Sequence, residues 1–262
     1  MKKLIIMWSK NMTKDELLKK LYFDPNNDKE KDDADFYLRV KGIAFHQKIM
    51  THLGVDFDDD ESTIEWSKVS ALLRYDKKLR DKIYIYIATL EEYIRAYLSN
   101  KYEDNPIQPF WQDGRTSRSK VKTRIIDGES VSEVLQSIDF GDLLNQIKNI
   151  SAEDISEMFD FTIDIHSNLD AVRELRNAVS HHAFLMVYKF NMCIVEGIKN
   201  GSLEHNIKNL RQLLPREYRY GKKGNGGITA EIEACKYEKT NVNEKETRQL
   251  MKLETRDVMK MN

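Results

Sequence analysis

Two cysteines, four prolines and eleven glycines in 262 residues leave little punctuation. Cys193 and Cys235 lie far apart and match no metal-ligand spacing, so neither a disulfide framework nor a zinc ribbon is implied, and a reducing, cytoplasmic setting fits. Few breakers, together with abundant Leu, Ile, Lys and Glu, point to helices and away from a turn-rich β-architecture. No apolar run approaches the roughly 18 residues of a membrane span. The apolar start Leu4-Ile5-Ile6-Met7-Trp8 ends at Ser9-Lys10, too short for a signal peptide's core. A charge excess of either sign is also missing: 42 basic residues face 43 acidic ones. Any nucleic-acid partner must therefore meet a local patch rather than a basic molecule.

What is present is apolar periodicity. Leu72, Leu79, Ile83, Ile87, Leu90, Ile94 and Tyr97 recur at steps of three, four and seven, which predicts one long helix over 68–99. Glu91 and Arg95 stand one turn apart on it and can pair. Shorter helices are predicted over 14–23, 35–53, 129–138, 140–149 and 203–213. Ser151 opens another with a capping-box-like pattern, and Asn168 is expected to cap a helix that runs to about residue 199. The charge run 28–35 reads as a solvated loop, and Asp56, Asp58, Asp59, Asp60 and Glu61 as an acidic turn. That turn lacks the spacing of an EF-hand, and no metal or other cofactor is expected. No β-hairpin signal stands out. Three regions are expected: an N-terminal helical extension over 1–67, a helical bundle over 68–214, and over 215–262 a basic linker with a charged C-terminal extension that has some helical potential near 243–259.

Arg115, Arg118, Lys120, Lys122 and Arg124 form the strongest local cluster of positive charge, a candidate RNA-backbone contact. The chemical content lies in Val172-Arg173-Glu174-Leu175-Arg176-Asn177-Ala178-Val179-Ser180-His181-His182-Ala183. At about 100° per residue, with Arg176 at 0°, Ser180 falls near 40°, Arg173 near 60°, Asn177 near 100° and His181 near 140°. Val172, Leu175, Val179, Ala183 and Met186 fall opposite. His182 lies at the edge of the apolar arc and is assigned a structural place; His181 is assigned the chemistry. Arg, Asn and His without a carboxylate do not make a metal site, but they suit RNA cleavage. An imidazole exchanges protons with the 2′-hydroxyl or the leaving 5′-oxygen, and a guanidinium holds the charged phosphoryl oxygens. Arg176, Asn177 and His181 are the expected catalytic residues, with Arg173 as a further RNA contact. Arg39 and His46 show a similar spacing without the polar cluster and are read as structural. One histidine is thin for both acid and base, so a two-fold dimer is expected.

Leu175-Arg176-Asn177-Ala178-Val179-Ser180-His181-His182 resembles the signature of the HEPN superfamily. Arg74-Tyr75-Asp76-Lys77-Lys78-Leu79-Arg80, the Glu91 and Arg95 pair and Phe140-Gly141 resemble its Abi-like branch, of the AbiD and AbiF kind. The likeness covers about residues 70–200. It implies an all-α, HEPN-like helical bundle that dimerises around the Arg and His motif. It further implies a metal-independent endoribonuclease of anti-phage abortive infection, leaving 2′,3′-cyclic phosphate ends. RNA, including a noncoding RNA or tRNA, and an antitoxin are the partners it suggests. A non-catalytic RNA- or toxin-partner-binding module is the alternative.

Overall fold

The computed structural model describes residues 12–104, 113–118, 120–159, 164–195, 198–221 and 226–235. It is mostly helical. Its described residues fall into two compact units, one up to Lys77 and the other from Lys78 to Cys235. The division falls inside the long helix, ten residues later than the sequence suggests, because apolar residues on the helix's first turns serve the N-terminal core.

In the first unit, Thr13 and Glu16 form a reciprocal capping box that opens α1 (Lys14–Lys19). The chain then leaves the helix for β1 (Leu21–Tyr22), which pairs in parallel with β2 (Ile64–Glu65). The charge run 28–35 is not a loop. It begins α2 (Lys29–Lys41), whose charged face stays in water while Ala34 and Leu38 are buried. Gly42, at φ 83°, separates α2 from α3 (Ile43–His52), so the single helix expected over 35–53 is two. The left-handed backbone there suits glycine, which has no Cβ to clash. The acidic segment is a turn, with Asp56 and Asp59 accepting the N–H groups of Asp58 and Glu61. Leu17, Ile49, Met50, Trp66 and Val69 form the core. His46 is buried against Trp66 and donates from Nδ1 to the Gly42 carbonyl at 2.9 Å, whereas Arg39 faces solvent and pairs with Asp35. The second Arg and His spacing is thus split between core and surface.

α4 (Trp66–Tyr102) carries the predicted stripe: Leu72, Leu79, Ile83, Ile87, Leu90 and Ile94 are buried, but at its end Leu98 is buried and Tyr97 is only half-buried. In the second unit follow α5 (Val121–Ile126), α6 (Val131–Ser137), α7 (Phe140–Ile147) and α8 (Ala152–Met158). Ser130, Asp139 and Ser151 each cap the helix they precede by accepting a backbone N–H of its first turn. Tyr93, Tyr97 and Tyr102 fasten α8 to α4 through the Met158 carbonyl, Glu157 and Asp154. Arg95 pairs with Glu91, as the spacing predicts, and also donates to the Ile138 carbonyl at 2.9 Å.

α9 (Ile165–Ser180) is capped by Asp164; Asn168, expected at the cap, lies inside the first turn, wholly buried. The helix ends at Ser180, well short of residue 199. Continued helix would carry Phe184 to about 80° on the wheel, in the middle of the polar face. Ending the helix lets Phe184 and Leu185 be buried instead. A 3₁₀ turn (Leu185–Val187) leads to an antiparallel pair, β3 (Cys193–Val195) and β4 (Ile198–Asn200), that the composition did not announce. Cys193 and Val195 bury against Ala171 of α9. Burial pushes the Cys193 thiol up to about 11, which makes it a core residue rather than a nucleophile.

α10 (Leu203–Leu213) starts at the Ser202 cap. The region expected as a basic linker and charged extension holds α11 (Arg216–Tyr220) and α12 (Gly227–Ala234). Ile228 and Ile232 are buried, and Glu231 pairs with Lys82 of α4 at 2.9 Å, so this stretch belongs to the second unit. The helical potential near 243–259 lies outside the described residues.

Candidate functional site

α9 sorts its residues by face as the wheel requires. Leu169, Val172, Leu175, Ala178 and Val179 are buried; Arg173, Arg176 and Ser180 are half-buried; Asn177 is exposed. Burying that apolar row fixes the helix's rotation, and the polar row must then face outward. Among the described residues, the side chains of Arg176, Asn177 and His181 form no hydrogen bond or ion pair, and His181 is exposed. Arg173 is partly committed: it pairs with Asp170 at 3.1 Å, and a Cβ on Gly141 of α7 would lie 3.8 Å from its Cδ. The Phe140-Gly141 pair thus sits where α7 passes α9.

The helix end determines where the two histidines go. His181 is the last residue close to helical geometry, at φ −86° and ψ 10°. His182 turns left-handed at φ 55°, the one non-glycine residue with positive φ among the described residues. Its N–H donates to the Val179 carbonyl at 3.1 Å, and the N–H of Ala183 donates to the Ala178 carbonyl at 2.9 Å. This pair of bonds is a Schellman motif, with histidine where glycine is usual.

No family model, curated protein or solved structure matches this chain.

His182 does not sit on an apolar border as expected. Leaving the helix carries it to the surface, and its Nδ1 lies 2.9 Å from Nη1 of Arg80, a buried residue of α4. A guanidinium only donates, so Nδ1 accepts and the ring's proton sits on Nε2. Arg80, Asp81 and Tyr84 of α4, with Val179, Ser180 and His182, wall a cavity of about 450 Å³. Sequence reasoning singled out neither Arg80 nor His182 as functional. The signal it had was Arg176 and His182 with five residues between them, a spacing as acceptable as that of His181.

The basic stretch divides. Arg115, Arg118, Lys120 and Lys122 are exposed. Arg124, on α5, is turned inward to Glu129 and donates to the Ser137 hydroxyl. Its hydrogen bond with Glu129 holds its guanidinium above and the Glu129 carboxyl below their ordinary ranges. Asp113 is bonded to Thr123, and the loop is closed by a bridge between Asp113 and Lys120. Four of the five cations therefore remain for an external anion.

Proposed function

We propose that the protein is a metal-independent endoribonuclease of the HEPN type, acting in anti-phage abortive infection. In this reading His181 takes the proton from a ribose 2′-hydroxyl. The 2′-oxygen attacks phosphorus, the P–O5′ bond breaks, and the 5′-oxygen leaves with a proton. A 2′,3′-cyclic phosphate and a 5′-hydroxyl result. Arg176 holds the non-bridging oxygens as charge builds on them, and Asn177 orients the phosphate. A homodimer bringing two such faces together provides acid and base. The cytoplasm is the expected compartment.

The observation that carries the reading is the end of α9. Arg176, Asn177 and His181 lie on its last turn and a half with side chains unclaimed by the fold among the described residues, and the turn sits on a strained histidine. Backbone strain held at a surface position, where glycine would relieve it, is a mark of functional sites.

The test is cleavage of total bacterial RNA in EDTA by wild type, Arg176→Ala and His181→Ala. Discrete fragments with cyclic-phosphate ends from wild type, lost by about 100-fold or more in either variant, support the reading. Undiminished cleavage by both variants places the active site elsewhere. A second reading, an RNA-binding module without cleavage, is favoured by the four exposed cations between Arg115 and Lys122. RNA bound but uncut by wild type would support it.

A further inference from the structure

A cavity lies beside the end of α9, walled by residues of α4 and α9. Tyr84 lines it and is 52% exposed although most of α4's large side chains are buried, so its ring is accessible to a ligand. Every base has a π-face, and stacking on tyrosine is a common way to hold one that has left the strand. Asp81, three residues earlier on the same helix, is exposed, and its carboxylate has no hydrogen bond or ion pair among the described residues. It presents two acceptor oxygens at the cavity. His182, just past the end of α9, also lines it. Because Arg80 donates to its Nδ1, it offers a donor, Nε2–H. About 450 Å³ lies within the ordinary range of ligand pockets, roughly 300–1,000 Å³.

The arrangement is an aromatic platform, a two-oxygen acceptor and one donor. Of the four RNA bases only guanine has two adjacent donors, N1–H and the exocyclic N2 amine, beside an acceptor, O6. Adenine and cytosine put an acceptor next to their amine, and uracil has one N–H between two carbonyls. A carboxylate accepting from both guanine donors makes a charge-assisted, bidentate pair, the strong kind. The cavity shares Ser180 with the polar face, one helical turn from Arg176.

We infer that this cavity is a guanine subsite, receiving one base of a single-stranded RNA next to the phosphate held by Arg176. Resting as it does on the ribonuclease reading for its RNA, the inference is tested without cleavage.

The purified full chain is titrated calorimetrically with GMP, AMP, CMP and UMP. Wild type, Asp81→Asn and Tyr84→Ala are compared, with folding of each checked by circular dichroism. The expected result is GMP bound at least tenfold more tightly than the others, with Asp81→Asn abolishing that preference. Tyr84→Ala should weaken all four nucleotides together. A guanine-containing oligoribonucleotide should displace GMP, and one without guanine should not. Equal affinity for all four nucleotides, no binding, or a guanine preference that survives Asp81→Asn in a folded variant overturns the subsite. GMP binding that no oligoribonucleotide displaces also overturns it, leaving a free-nucleotide site. RNA cleavage without GMP binding defeats the subsite alone; GMP binding and displacement in a protein that cuts no RNA defeats only the ribonuclease.

Discussion

A left-handed conformation costs an L-residue roughly 1–2 kcal/mol that glycine escapes. His182 bears that cost at the end of α9 and recovers part of it through the bond to Arg80. His182→Gly should therefore change stability by no more than about 1 kcal/mol, in the stabilising direction if the bond to Arg80 contributes less than the strain. Denaturant unfolding measures this. The same variant should lose guanine preference because the Nε2–H donor is gone. A structural cap would show only the first effect. His46 makes a different case. Burial chiefly, with Lys41 nearby, lowers its pKa against the opposing pull of the Gly42 carbonyl. With the folded value below the ordinary 6.5, the unfolded chain takes up a proton that the folded chain resists. The stabilisation is complete above about pH 6.5 and declines as the pH falls below it towards the folded value. Melting followed between pH 7.5 and 5 should show that decline, and His46→Gln should flatten it.

At the scale of the element, α9 couples a cap, an apolar row and a terminus. Asp164 accepts from the N–H of Ser167 at 3.1 Å, satisfying one of the helix's orphan donors. Asp164→Ala should cost about 1 kcal/mol in denaturant unfolding, the usual value of an N-cap. Asn168→Ala acts otherwise: it removes an amide bonded to the Asp164 carbonyl inside a buried turn. The period of Leu79, Ile83, Ile87 and Leu90 made α4 readable from the sequence, the Ser151 cap made α8 readable, and the helices expected over 129–138, 140–149 and 203–213 match α6, α7 and α10 to within a few residues. The rotation of α9 was readable because a mixed row of Arg, Asn, Ser and His cannot be buried cheaply. Its end was not. No glycine or proline stands in the residues just after Ser180, and the turn depends on where Phe184 and Leu185 find burial, a tertiary matter. The hairpin of β3 and β4 escaped for the same reason: three-residue strands carry almost no periodicity. Arg80 escaped because its bond to His182 spans 102 residues of sequence.

Across the whole molecule the balance of charge, −1 overall, gives no long-range attraction for RNA. Affinity for a polyanion must come from cations that the fold leaves uncommitted. Arg124 is spent on Glu129 and Arg173 is shared with Asp170, whereas Arg115, Arg118, Lys120 and Lys122 are exposed. If these four meet phosphates, each releases condensed counterions on binding, and the logarithm of affinity for single-stranded RNA falls by about 0.7 per contact for each tenfold rise in salt. Neutralising all four to Gln or Ser should lower that slope by up to about three and weaken binding without regard to sequence. Arg124→Gln should leave the slope nearly unchanged and lower stability instead, because it strips Glu129 of its partner. Filter binding of a short oligoribonucleotide across a salt series, with His181→Ala to prevent cleavage, reads the slope directly. A slope unchanged in the fourfold variant would remove this surface from the RNA path and leave the face of α9 to hold the strand alone.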